Sequence, residues 1–363
     1  MDRGGEQAMS AAALVNTGTR FSPPRHRAGR ALAFRLRSVA SRLLPEEAVA
    51  RCGRRTITGR VAITLKEGRG CFAGVSTCGS VWGCPYCAGK VAAERAEEVR
   101  DLADAHCRAG GEVFMAAFTM PHHRFQTAKE LRWAITKAWS KVIAGEPWKR
   151  ACERVGGVAW IKSLEVTHGA NGWHPHLHAL FFLPAGGDHR RFGDWLFDRW
   201  CRVLARAGYG ECNPAVWRFE RAAHLDAATD YVVKGNFDQE LTRGHMKRAR
   251  GGGRSPWQLL EDADGGDRQA AALFREFFAA FKGAKQLTFS KGLRDDARSD
   301  EEIAADAAGA LVCHVESGHF RRIMYLGQGA ALLDAAEDAG AVGVQAFLAS
   351  HGLKGGVTCP APD

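Results

Sequence analysis

The chain has 363 residues, of which 46% are apolar and 25% charged, proportions that exclude wholesale disorder. It holds no run of about 18 apolar residues, so no membrane-spanning helix is expected, and its first residues lack the apolar stretch of a signal peptide. A soluble, cytoplasmic protein with no membrane partner is therefore the expectation.

The net charge of +10 is unevenly placed: residues 1–60 carry +8, residues 61–294 carry +9, and residues 295–363 carry −7. A basic first three quarters followed by an acidic tail points to a polyanionic partner, most simply nucleic acid. Basicity that only aids solubility is the plainer alternative. Eleven cysteines without secretory features argue against a disulfide framework and for thiolates that bind metal.

In chain order, residues 1–55 mix Arg, Ala, Gly, Pro and Ser with little periodicity and read as a basic, mostly disordered arm. A short helix around 31–44 is the exception. A strand is predicted over 56–64, and residues 88–109 read as a helix of good helix formers ended by Gly110 and Gly111. The run 112–120 is a strand stopped by Pro121, and 127–144 is an amphipathic helix. Strands at 158–167 and 173–183 flank His168-Gly-Ala-Asn-Gly172, whose Asn-Gly is a strong hairpin signal. A helix is expected at 188–207, a strand at 214–220, and helices at 222–234, 267–282, 299–309 and 329–350. Between the last two, 310–315 and 319–326 read as a late hairpin. The predicted class is α+β, an antiparallel sheet flanked by helices.

Four cysteines, Cys71, Cys78, Cys84 and Cys87, fall within 17 residues, and the last two form a Cys-x-x-Cys knuckle. Two such pairs supply the corners of a tetrahedron for structural Zn²⁺. A redox role for the knuckle would need a thioredoxin-like βαβ context, which the flanking sequence lacks.

The run Gly172-Trp-His-Pro-His-Leu-His178 places His174, His176 and His178 on one face of a strand, with Leu177 opposite. Imidazoles in that array suit a divalent metal. Glu165 lies on the partner strand. It faces His176 if the loop has four residues and Pro175 if it has five, so a third ligand and a solvated carboxylate both remain open.

Tyr231 and Lys234 stand three apart on a predicted helix, which puts an ammonium near a phenol. A phenol is a weak nucleophile and needs a metal or cation beside it. Arg243, Lys247, Arg248, Arg250 and Arg254 alternate with glycines in a loop that can follow a phosphate backbone, or simply be solvated.

The ordered set FMAAFTMPH (114–122), HPHLHALFF (174–182) and DYVVKGNF (230–237) resembles the three motifs of rolling-circle replication initiator (Rep) proteins of the HUH endonuclease superfamily. CGSVWGCPYCAGK (78–90) and SLEVTH (163–168) resemble the plasmid branch in particular. GRSPWQLL (253–260) and FKGAKQLTFSKGLR (281–294) are similar to later segments of a Rep subgroup on bacterial plasmids and phages. The resemblance covers about 60–295.

It implies an HUH core at 111–245 after a zinc-knuckle segment at 56–110, with a basic loop and mainly helical region at 246–363. It implies that His176 and His178 hold Mg²⁺ or Mn²⁺, with Glu165 the candidate third ligand and His174 accessory. Tyr231 would attack a phosphodiester of a single-stranded or hairpin origin, leaving a 5′-phosphotyrosyl bond and a free 3′-OH, with Lys234 stabilising charge. Host helicase and polymerase would be the further partners. Gly235 stands where a second tyrosine would lie, as in the single-tyrosine class, and Ala227 occupies a place that is acidic in some plasmid initiators. The alternatives are an HUH transposase or relaxase, and a zinc-containing DNA-binding regulator without catalysis.

Overall fold

A computed structural model describes residues 23–222, 253–294, 298–306 and 309–359. The chain is α+β, built on two antiparallel sheets.

The first helix, α1, spans Pro23–Leu43. Its two prolines fall in the first turn, where their missing N–H groups cost nothing. Ala33, Leu36, Val39 and Ala40 recur at helical spacing and are buried. The second half of the expected arm is therefore folded, because this stripe lies hidden among arginines. Four of those arginines have acidic partners elsewhere in the chain. Arg27 and Arg30 pair with Asp334, Glu337 and Asp338, and Arg35 and Arg42 pair with Asp264. Part of the charge asymmetry along the sequence is thus neutralised within the fold.

Strands β1 (Arg60–Lys66) and β2 (Arg69–Ala73) form a hairpin closed by Glu67 and Gly68, both at positive φ. They share a four-stranded sheet, in the order β2-β1-β8-β9, with β8 (Ala310–Glu316) and β9 (Val357–Thr358). The segment 319–326, expected as a strand, instead forms most of helix α9 (Ser317–Tyr325). Its apolar residues Phe320, Ile323 and Met324 sit at helical spacing and all are buried. Helix α10 (Gly329–Ser350) follows, with non-helical backbone at Ala339 and Gly340.

The larger sheet has the order β6-β3-β5-β4-β7. Its strands are β3 (Glu112–Phe118), β4 (Ala159–Gly169), β5 (Gly172–Leu183), β6 (Phe219–Arg221) and β7 (Leu287–Phe289). Helices α3 (Ala128–Val142), α5 (His189–Arg206) and α7 (Arg268–Phe281) join one face in a core of Phe118, Ile135, Trp139, Phe181, Trp200 and Phe277. Helix α2 (Pro85–Arg108) packs Val99 and Ala103 against Val113, Ile161, Leu180 and Phe182 on the other face. Three short helices are also present, α4 (Gly145–Arg154) and α6 (Pro256–Asp264), neither anticipated from sequence, and α8 (Asp300–Ala305), with 3₁₀ turns at Ala48–Arg51 and Pro214–Val216.

The sheets do not follow contiguous stretches of chain. Residues 256–289, within the expected C-terminal basic loop and helical region, pack on the larger sheet, and 310–316 pairs with 60–65. Among the described residues no helix is long and apolar enough to cross a membrane.

Candidate metal centres

The β4–β5 hairpin fixes the first site. Its register pairs Glu165 with His176 and Ser163 with His178, the first of the two expected arrangements, and the ladder runs on to Gly169 and Gly172, leaving the two-residue turn Ala170-Asn171. Because strand side chains alternate, Glu165, His176 and His178 share one face. Glu165 Oε2 lies 3.0 Å from His176 Nε2 and 3.3 Å from His178 Nε2. Two ligand atoms at about 2.1 Å from an ion and at right angles stand about 3.0 Å apart, so the spacing fits a small divalent cation. Glu165 Oε1 is buried without a hydrogen-bond partner, as a carboxylate oxygen built for a further ligand would be. Burial alone would raise the Glu165 pKa. The charge of His178 and hydrogen bonds from both imidazoles outweigh it and hold the carboxyl well below the usual carboxylate range.

His174 lies on the same face but turns to another partner. Its Nδ1 is 2.8 Å from His122 Nε2, and His122 Nδ1 is 3.2 Å from the Asn171 carbonyl. Burial, with His176 and His122 nearby, lowers the His174 pKa to about 4, so at neutral pH the ring is uncharged. His122 stands in the first of the three sequence motifs, yet only the structure shows it touching the histidine strand.

The cysteine site differs from expectation. Cys78, Cys84 and Cys87 come together with Cys52, not with Cys71. Cys71 lies on β2 opposite Thr64, where its strand pairing holds it away from the cluster. Cys52 follows the 3₁₀ turn Ala48–Arg51 and reaches the knuckle from α1's side. Sulfur separations are 3.5 Å for Cys52–Cys87, 3.6 Å for Cys52–Cys84 and 3.8 Å for Cys78–Cys87. Corners of a tetrahedron with Zn–S bonds of about 2.3 Å stand about 3.8 Å apart, so the four sulfurs fit zinc. Hydrogen bonds from Cys78, Cys84 and Cys87 hold the Cys52 thiol far below its ordinary range, while burial pushes Cys84 up. Four donors close the coordination shell and leave no place for a substrate, so this cluster can brace the fold but not perform chemistry. The absence of any regular spacing between Cys52 and the knuckle is why sequence reasoning missed it.

Of the residues expected to contact DNA or attack it, Tyr231, Lys234, Arg243, Lys247, Arg248 and Arg250 lie outside the described residues, as do residues 223–234 of the helix expected at 222–234. Arg254 is described. Its backbone pairs with His168 at both N–H and C=O, and its guanidinium donates to Asp262 at 2.9 Å and Asp267 at 3.3 Å. That fork is engaged by carboxylates, and it ties α6 and the start of α7 to the end of β4.

Over 330 aligned residues the chain is 26% identical to Protein rep of Streptomyces lividans, covering 69% of this chain and 72% of that protein. It is 30% identical to the Neomycin resistance protein of Streptomyces cyanogenus over 135 residues, 30% of this chain and 31% of that protein. No family model matches the chain, and no solved structure matches it.

Proposed function

We propose that the protein initiates replication of a plasmid or phage by nicking and rejoining one strand of its DNA origin. The observation that carries this reading is the Glu165–His176–His178 centre, three metal-competent side chains converging on one sheet face. Likeness to Protein rep over more than two thirds of both chains supports it, as does the order of the three sequence motifs.

Glu165, His176 and His178 would hold Mg²⁺ or Mn²⁺, which would draw charge from the scissile phosphate. Glu165 is kept ionised by its two histidine neighbours, and the neutral His174–His122 pair would steady the strand that carries the ligands. The Tyr231 oxygen would attack phosphorus as the phenol loses its proton to solvent. The P–O3′ bond breaks, the 3′ oxygen takes up a proton, and a 5′-phosphotyrosyl linkage forms, with Lys234 offsetting the developing charge. Attack by a 3′-OH on that linkage reverses the step and rejoins the strand. The Cys52–Cys78–Cys84–Cys87 cluster would hold structural Zn²⁺.

The test is a covalent-adduct assay. Wild type and Tyr231→Phe are incubated with Mn²⁺ and supercoiled DNA of the element that encodes the chain, and the products are run on denaturing gels. An adduct and open-circle DNA from wild type alone is the expected result. An adduct from Tyr231→Phe, or binding with no adduct in Mn²⁺ or in Mg²⁺, would overturn the assignment.

A further inference from the structure

Phe125 and Trp133 are 78% and 61% exposed, each with a cation over one face of its ring. The Arg124 guanidinium lies 4.8 Å from the Phe125 ring centre, and the Lys137 ammonium 5.7 Å from that of Trp133. Isolated apolar side chains in water need no explanation. These two are not isolated, and one of them is held out by a tightly fixed loop.

The loop between β3 and α3 is tied at several points. His122 bonds His174, the His123 and Gln126 backbones each make a hydrogen bond to the other residue, and Thr127 and Glu130 form a capping box on α3. At Gly172 the hairpin turn comes so close that a Cβ there would meet Arg124 Cα at 2.9 Å. Phe125 therefore points to solvent from an ordered segment that begins at the histidine face.

Beyond the loop, Lys129, Trp133, Lys137 and Lys141 follow one another at intervals of four, so they form a single ridge on the outer side of α3, and all four are exposed. The ridge runs about 18 Å. Glu130, the one acid in α3, is turned back into the capping box.

Aromatic faces interleaved with cations are what a single strand requires, since every base has a π-face and every linkage a charge. We propose that Phe125 and Trp133, with Arg124, Lys129, Lys137 and Lys141, form a stacking track for single-stranded DNA. Helix α3 covers the sheet face opposite the histidines, so a strand on the ridge would reach the histidine centre by passing round the hairpin end beside Phe125. That course rests on the function proposed above, whereas binding to the track does not.

The test uses the full chain in EDTA, so that no cleavage intervenes, and a fluorescein-labelled oligothymidylate read by anisotropy. Phe125→Ala and Trp133→Ala should each weaken binding by about tenfold. Phe125→Leu, apolar but without a π-face, should weaken it too, and Phe125→Trp should restore it. Lys129→Gln and Lys137→Gln should each lower the salt slope of log K by about 0.7. Wild-type affinity in a chain carrying both Phe125→Ala and Trp133→Ala would overturn the track. So would ring substitutions that change only self-association in sedimentation. Ring-dependent binding by a protein that never nicks would keep the track and remove the nuclease; nicking with ring-independent binding would do the reverse.

Discussion

Glu165 and His176 stand directly opposite each other across the β4–β5 ladder, with Oε2 and Nε2 3.0 Å apart. A single carboxylate oxygen also takes His178 at 3.3 Å, so both imidazoles point at one spot. Replacing Glu165 by Gln keeps the shape and removes the charge. Loss of an outer partner of a metal ligand costs roughly 10–100-fold in affinity, and loss of a ligand costs at least as much. Mn²⁺ titration calorimetry on wild type and Glu165→Gln should show at least a tenfold weakening. Equal affinities would mean that the carboxylate is no ligand.

Cys52 and Cys71 offer a sharper contrast, because both are thiols near the knuckle and only one reaches it. Purified wild type should carry one tightly held zinc per chain by elemental analysis. Cys71→Ser should keep it with an unchanged melting temperature. Cys52→Ser should lose it, and with it several kcal/mol of stability, since the energy of binding structural zinc is folding energy. Zinc lost from Cys71→Ser and kept by Cys52→Ser would reverse the ligand assignment.

Period and turn chemistry made much of this legible from sequence. The Asn-Gly turn fixed the β4–β5 hairpin, and the alternation of His174, His176 and His178 gave their shared face. Sequence leaves the register of Glu165 between two values, because one residue of loop length shifts every side chain and sequence does not count loop residues. Cys52 and His122 were missed for a different reason: each reaches its site through tertiary packing, across 26 residues of chain in the first case (to Cys78) and 52 in the second (to His174). Charge misled in a third way. The basic N-terminal segment looked free to bind a polyanion, but Arg27 and Arg30 meet acids more than 300 positions away. The few residues of 319–326 fit either period from sequence, and burial of Phe320, Ile323 and Met324 decides for helix α9.

That long-range pairing carries a stability prediction. The side chains of Arg30 and Glu337 are each 7% exposed, and Glu337 also accepts the Gly70 N–H at 2.7 Å. One carboxylate thus joins α1, α10 and β2. Glu337→Ala leaves the buried Arg30 guanidinium with Asp334 still paired but one carboxylate short, and should cost up to about 3 kcal/mol in urea unfolding. Arg30→Met combined with Glu337→Leu should cost far less than the single change, because no buried charge is stranded. Equal losses in the single and double variants would show that packing and not charge holds the helices.

Lys162 yields a prediction with a pH signature. It lies on β4 opposite Ala179 and Thr288, on the same side as Leu164 and Val166, and is 7% exposed. Burial lowers its pKa from 10.5 to about 8. Between those values the unfolded chain binds the extra proton, so stability should rise with pH from about 8 to about 10. Below pH 8 the ammonium is charged in both states, and the folded chain bears the cost of its burial. Lys162→Met removes the ammonium while filling similar space. It should stabilise the protein at pH 7 by about 2–3 kcal/mol and abolish the Lys162 contribution to the rise. The difference in urea midpoint between wild type and variant, followed from pH 7 to 10, isolates this group from others that titrate in the same range. A difference that stays constant over the window would mean that the ammonium reaches water and keeps its ordinary pKa.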